Sequence, residues 1–114
     1  MTTTRTTRPD PGHDDAHDLL PQWLENELPS LYATDGDPDP IVRCKFFTPD
    51  SSWTWFLVEY SPLERRAFGL VCGHDKELGY FSLDELLAVR GPFGLQVERD
   101  LWFSPCPLSE VDGA

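Results

Sequence analysis

Four groups of residues have types and spacings that could do chemistry. His74, Asp75 and Glu77 place an imidazole beside two carboxylates within four positions. An imidazole titrates near neutrality, and a neighbouring carboxylate can orient it as an acid, a base or a metal ligand. The competing reading is a solvated turn with a hydrogen-bonded histidine. Glu98-Arg99-Asp100 forms the second group. At strand period its two carboxylates share one face, where they could chelate a divalent ion or divide acid and base roles. Alternatively they pair with Lys45 or Arg43 across a sheet.

Trp53, Trp55, Phe56 and Tyr60, with Trp102, are the third group. Interleaved aromatics can stack bases or sugars. Without a basic patch around them, core packing or a protein-binding face fits better, because tryptophan is enriched at interfaces. Lys45, Trp53, Trp55, Arg99 and Trp102 are therefore the binding candidates. His74, Asp75, Glu77, Glu98 and Asp100 are the catalytic candidates. The glycines Gly69, Gly73 and Gly79 are the fourth group. They match no G-x-G-x-x-G or Walker pattern and read as turn or bulge positions. There is no G-x-S-x-G elbow, and no Ser-His-Asp or Cys-His set can be assigned.

Metal and redox readings find little support. The segment from His13 to Asp18 could bring two histidines to one helix face, but nothing nearby closes a coordination shell. The carboxylates of Asp35, Asp37 and Asp39 lack EF-hand spacing and its closing glutamate. Three cysteines, Cys44, Cys72 and Cys106, include no C-x-x-C pair and are odd in number. No disulfide framework is expected, and Cys44 and Cys72 read as inert core thiols. No metal and no cofactor is expected.

The net charge of −11 narrows the partners. Residues 1–40 hold two arginines against nine acids, and residues 41–114 hold seven basic residues against eleven acids. Phosphate contacts need clustered Lys and Arg, so direct nucleic-acid binding is disfavoured. An acidic surface suits a basic protein partner. No apolar run approaches the roughly 20 residues needed to span a bilayer. Behind Met1-Thr2-Thr3-Thr4-Arg5 no apolar segment follows, so no secretory signal is read and a cytoplasmic location is expected.

The elements that must position these residues follow from hydrophobic period. Residues 1–17 are rich in Thr, Asp and Pro and read as a disordered tail, followed by a single domain over 18–111. Leu20, Trp23, Leu24, Leu28 and Leu31 form a helical stripe, so a first helix is expected from Asp18 to Leu31. The period then changes to two. Strands are expected over 41–47, 53–60 and 67–73, with Val42, Cys44 and Phe46 on one face of the first. In the second, Trp53, Trp55, Leu57 and Glu59 alternate with Thr54, Phe56, Val58 and Tyr60. A charged turn from His74 to Glu77 leads into a short strand, 78–81. Ser82 and Glu85 make a capping box for a second helix ending at Gly91-Pro92. A last strand covers 95–103, and Pro105 and Pro107 end the sheet. The fold class is α+β: a small antiparallel sheet of four to five strands with two helices packed on it.

Several segments together resemble a bacterial domain-of-unknown-function family, number 2958. They include Leu28-Pro29-Ser30-Leu31-Tyr32-Ala33-Thr34, Lys45-Phe46-Phe47-Thr48-Pro49, Trp53-Thr54-Trp55, Phe68-Gly69-Leu70-Val71 and Gly73-His74. Glu77-Leu78-Gly79-Tyr80-Phe81-Ser82 and Gly94-Leu95 leading to Glu98-Arg99-Asp100 complete them. The resemblance covers about residues 19–111. Asp75 departs from the pattern, where a glutamate is expected. The resemblance implies small cytoplasmic proteins often encoded on plasmids and mobile elements, and carries over no catalytic residue. The preferred expectation is a non-enzymatic interaction or accessory factor with a protein partner. The alternatives are a small metal-dependent hydrolase using His74 with Glu98 and Asp100, and an acidic inhibitor mimicking DNA. A further version is a module docked beside a nucleic-acid enzyme through Arg43, Lys45, Arg65 and Arg66.

Overall fold

A computed structural model describes residues 15–111. Helix α1 (Gln22–Glu25) is followed by strands β1 (Ile41–Val42), β2 (Cys44–Phe47), β3 (Thr54–Ser61), β4 (Arg66–Cys72) and β5 (Lys76–Ser82). Helix α2 (Leu83–Ala88), strands β6 (Glu98–Arg99) and β7 (Cys106–Pro107), and a 3₁₀ turn (Leu108–Glu110) complete the order. Five strands form one antiparallel sheet in the order β5-β4-β3-β2-β6, while β1 and β7 make a separate two-stranded sheet. The class is α+β in this coarse sense, with most of the regular structure in strands.

The sheet buries both faces. Cys44, Phe46, Trp55, Leu57, Tyr60 and Ala67 point to the first face, against Leu19, Leu24, Leu28, Leu83, Leu86 and Val97. Val42, Phe56, Val58 and Cys72 belong to a second cluster, covered by Phe103, Leu108 and Val111. Two irregularities distribute the side chains between the clusters. Arg43 interrupts the expected first strand, and its N–H donates to Leu57 O at 2.8 Å, beside the Cys44–Leu57 pair. Two residues then oppose one, so Val42 turns away from the face that Cys44 and Phe46 share. In β3 the register shifts between Leu57 and Glu59. Val58 is the extra residue, so Glu59 pairs with Phe68 and Tyr60 joins Trp55 and Leu57. Continuous alternation, which put Glu59 with Trp55 and Leu57, is corrected by this bulge.

Other expectations are corrected by length. The first helix, expected from Asp18 to Leu31, shrinks to one turn, with Pro21 at its N-terminal boundary and no side-chain cap. Glu27 and Leu28 continue it only with i−3 bonds to Leu24 and Glu25, the tighter pattern of a helix running out. β5 begins at Lys76, because Cys72 pairs with Lys76 across a three-residue turn. Lys76 and Glu77 therefore lie in the strand and not in the turn. Ser82 does cap α2, its hydroxyl accepting from the Glu85 N–H at 3.2 Å, but the helix ends at Ala88, before Gly91. The last strand contracts to Glu98–Arg99. Asp100 then accepts from the Trp102 N–H at 2.9 Å, and this side-chain turn diverts the chain from the ladder. Pro105 and Pro107 are expected to end the sheet, but Cys106 and Pro107 pair with β1 at a sheet edge, where proline is tolerated. Of the tail expected over residues 1–17, residues 1–14 lie outside the described residues, and the rest is corrected: Ala16 O accepts from the Arg99 N–H at 2.7 Å and His17 faces Glu98, so β6 holds this segment in place.

Candidate functional site

Both charged groups sit at one end of the sheet, on opposite sides of it. Glu98 pairs with Phe47, Phe47 with Thr54, Thr54 with Cys72, and Cys72 with Lys76. From β6 to β4 this row crosses three strand spacings, about 14 Å in all, and His74 lies beyond β4. The sequence alternative that joins His74 to Glu98 and Asp100 is therefore not assembled, because three strands separate its parts. Among the described residues no group of three His, Cys, Asp or Glu side chains forms a metal-holding cluster. His13 lies outside the described residues.

At the β6 side the charges are engaged. Arg99 is buried on the first face. Its guanidinium donates to the carbonyls of Asp18 (3.1 Å) and Asp15 (3.4 Å) and lies 5.6 Å from the Trp23 ring centre. Asp100 meets Lys45 at 3.9 Å, and Glu98 faces His17 at 3.6 Å. These residues surround an open cleft of about 320 Å³, with Trp102 exposed at its rim. Arg99, a binding candidate in the sequence, is a structural residue beneath this cleft.

At the β4–β5 turn the arrangement differs. Trp53, 38% exposed, stands at the start of β3 with the ring of Trp55 6.1 Å away. Gly73 underlies it: a methyl at that position would come within 2.4 Å of the indole ring. The His74 ring meets Trp53 edge-on at 5.9 Å. Trp53 thus has little freedom to move, and it forms the common wall of two clefts. One, of about 190 Å³, is lined by Val71, His74, Asp75 and Glu77. The other, of about 370 Å³, is walled by Trp55, Val89, Arg90 and Pro92. Trp55 is only 6% exposed and serves as floor. His74, Asp75 and Glu77 are exposed, and the Asp75 and Glu77 side chains make no hydrogen bond or ion pair among the described residues.

The loop after α2 completes this surface. Asp50 Oδ2 accepts from the N–H groups of Phe93 (2.8 Å) and Leu95 (3.4 Å). Gly91 packs so closely on Asp50 that a methyl there would lie 1.6 Å from Oδ1. Phe93 and Leu95 are held outward, 84% and 48% exposed. Neither Asp50 nor Phe93 drew attention in the sequence; the Gly91-Pro92 pair beside an exposed-length loop was the available signal. Glu59 was missed as well. Its buried carboxylate accepts from the N–H groups of Tyr32 (2.7 Å) and Thr34 (2.8 Å) and from the Thr34 hydroxyl. It holds Tyr32 in a left-handed conformation, φ 72°, and the signal was an acid inside an apolar strand.

Many carboxylates and cations are likewise internal partners. Asp39 takes two hydrogen bonds from Ser109, which hold its pKa below the usual aspartate range. Arg65 pairs with Asp84 at 2.8 Å and Arg66 with Glu64 at 3.0 Å. With Lys45 on Asp100, three of the four proposed basic contacts, Lys45, Arg65 and Arg66, are already in ion pairs. Burial pushes the Cys44 thiol far up and that of Cys72 up less, so neither supplies a thiolate near neutrality.

A family model described as a protein of unknown function, DUF2958, matches residues 16–111, and the chain belongs to that family. No curated protein and no solved structure matches it. Among the described residues no helix is long and apolar enough to cross a membrane.

Proposed function

We propose that the protein is a non-enzymatic docking factor that engages a protein partner through the Trp53 end of its sheet. The observation that carries this reading is Trp53 itself: a partly exposed indole, backed by Gly73 and His74, between two clefts. Rigid aromatic anchors beside pockets are what binding hot spots are made of. Exposed Phe93 and Leu95 extend the apolar surface. The net charge of −11 favours a basic partner and speeds its encounter. A cytoplasmic accessory role in a bacterial mobile element rests on the family resemblance alone.

Mimicry of DNA is the weaker reading. Asp39, Asp50, Glu59 and Asp100 all accept hydrogen bonds from this chain's own backbone, so part of the acidity serves folding. The test is affinity capture from the native host with the wild-type chain and with Trp53→Ala, followed by rebinding of the captured protein in purified form. The expected result is a purified partner that binds the wild type and loses at least tenfold in affinity with Trp53→Ala, as for a hot-spot residue. A partner that binds both forms equally, or no partner at all, overturns the reading.

A further inference from the structure

The two edges of the five-stranded sheet are treated differently. The β6 edge is short and has Ala16 beside it. The β5 edge runs seven residues, and its pairing with β4 is unbroken from Arg66–Ser82 to Cys72–Lys76. An edge strand leaves alternate N–H and C=O groups without a ladder partner, and proteins usually blunt such edges with proline, bulges or central charges. β5 has neither proline nor bulge, and its two charges, Lys76 and Glu77, stand at its start. Leu78 and Tyr80 are 56% and 47% exposed on the second face, with Tyr32 against Tyr80.

On the first face, Glu77 lies level with Val71 and Trp55, in the row that leads to the Trp53 cleft. Gly79 follows two positions later, and no atom lies within 4 Å of where its side chain would begin. The first face is therefore open directly over Gly79, where the side chain of an added strand could lie beside Glu77. The cleft offers two carboxylates without partners among the described residues, Asp75 and Glu77, and an indole wall. Carboxylates and an indole face together select a cation.

We propose that the open edge of β5 and the Trp53 cleft form one strand-addition site for an extended basic segment of a partner protein. A lysine or arginine of that segment sits between Trp53 and Glu77. The proposal rests on the docking reading above and names the mode of recognition. Backbone pairing supplies affinity and the alternating side chains supply specificity, as in other strand-addition complexes. A basic occupant is favoured over a second copy of this chain, since two copies would bring two net charges of −11 together.

The test uses the full chain and a labelled seven-residue peptide of alternating valine and threonine with a central arginine, read by fluorescence anisotropy. Saturable binding is expected. Replacing the central arginine by glutamate, or the surface change Glu77→Lys, is expected to weaken it about tenfold. N-methylation of alternate peptide nitrogens on the pairing edge is expected to abolish it, while a Leu63→Ser control, in the β3–β4 loop at the opposite end of the sheet from Glu77, leaves it unchanged. Absence of saturable binding, or equal binding by the glutamate or N-methylated peptides, overturns the proposal. So does a self-association, seen by sedimentation, that Leu78→Lys abolishes, because a second copy then occupies the edge. If the purified native partner binds through Trp53 but the peptide does not, strand addition fails and the docking reading stands.

Discussion

The β6 segment and the β4–β5 turn present nearly the same short run of ionisable residues, and the fold uses them in opposite ways. In Glu98-Arg99-Asp100 every charge has an internal partner: His17, the carbonyls of Asp18 and Asp15, and Lys45. In the His74–Glu77 run the imidazole meets the Trp53 ring, and Asp75 and Glu77 face solvent without a hydrogen bond or ion pair among the described residues. What separates them is arrival of another part of the chain. The residues from Asp15 to Asp18 lie against β6, whereas among the described residues no strand pairs with the outer edge of β5. A charged motif becomes structural when the chain returns to cover it, and stays available when it does not.

The largest effect is expected at the covered motif. Arg99→Ala removes the guanidinium donor to the Asp18 carbonyl, leaves the Asp15 carbonyl only the Asp18 N–H, and empties the face of Trp23. It should lower unfolding free energy by about 2–4 kcal/mol, measured by urea denaturation. An effect under ~1 kcal/mol would erase the contrast. On the Trp53 side the sensitive positions are backbone ones. Gly91→Ala forces a methyl against Asp50 and releases the Phe93 loop, with an expected loss of ~2 kcal/mol. Asp50→Ala, which vacates that space, should make a subsequent Gly91→Ala nearly neutral in a double-mutant cycle.

Smaller effects sharpen the comparison. Ser82→Ala removes the α2 cap and should lose ~1 kcal/mol. Glu77→Gln, by contrast, should change stability by less than ~0.5 kcal/mol, since the exposed carboxylate has no partner among the described residues. Asp39 gives the smallest effect. Its pKa is lowered in the folded state by Ser109, so its tether is present above the ordinary aspartate pKa and is lost as pH falls through the lowered value. Ser109→Ala should return that pKa upward, read by carboxyl NMR titration.

Legibility in the sequence followed the range of the interactions. The Ser82–Glu85 cap is local, and its pattern located the start of α2. All five strands of the main sheet fall in stretches that read as strands, though with other bounds, and the last shrinks to two residues. The β3 bulge was not: Phe56, Leu57 and Val58 are all apolar, so either face suits each of them and alternation carries no phase. β7 was hidden because Pro105 and Pro107 signal an ending, while its pairing depends on Val42, some 60 residues earlier. At the candidate site Trp53, His74, Asp75 and Glu77 were all singled out, but in separate groups. Their union needs the Thr54–Cys72 pairing and the missing side chain of Gly73, which no local pattern encodes. The expected union of His74 with Glu98 and Asp100 failed for the same reason in reverse, since strand order keeps them apart.

The central claim is that the β4–β5 turn and the β5 edge, not the β6 segment, are the open surface. Amide and indole chemical-shift mapping during titration with the arginine peptide tests it most directly. The account predicts shifts and slowed amide exchange along residues 74–82 and at the Trp53 indole, with none at 98–102. Shifts confined to Glu98, Asp100 and Trp102, or no shifts at saturating peptide, would contradict it.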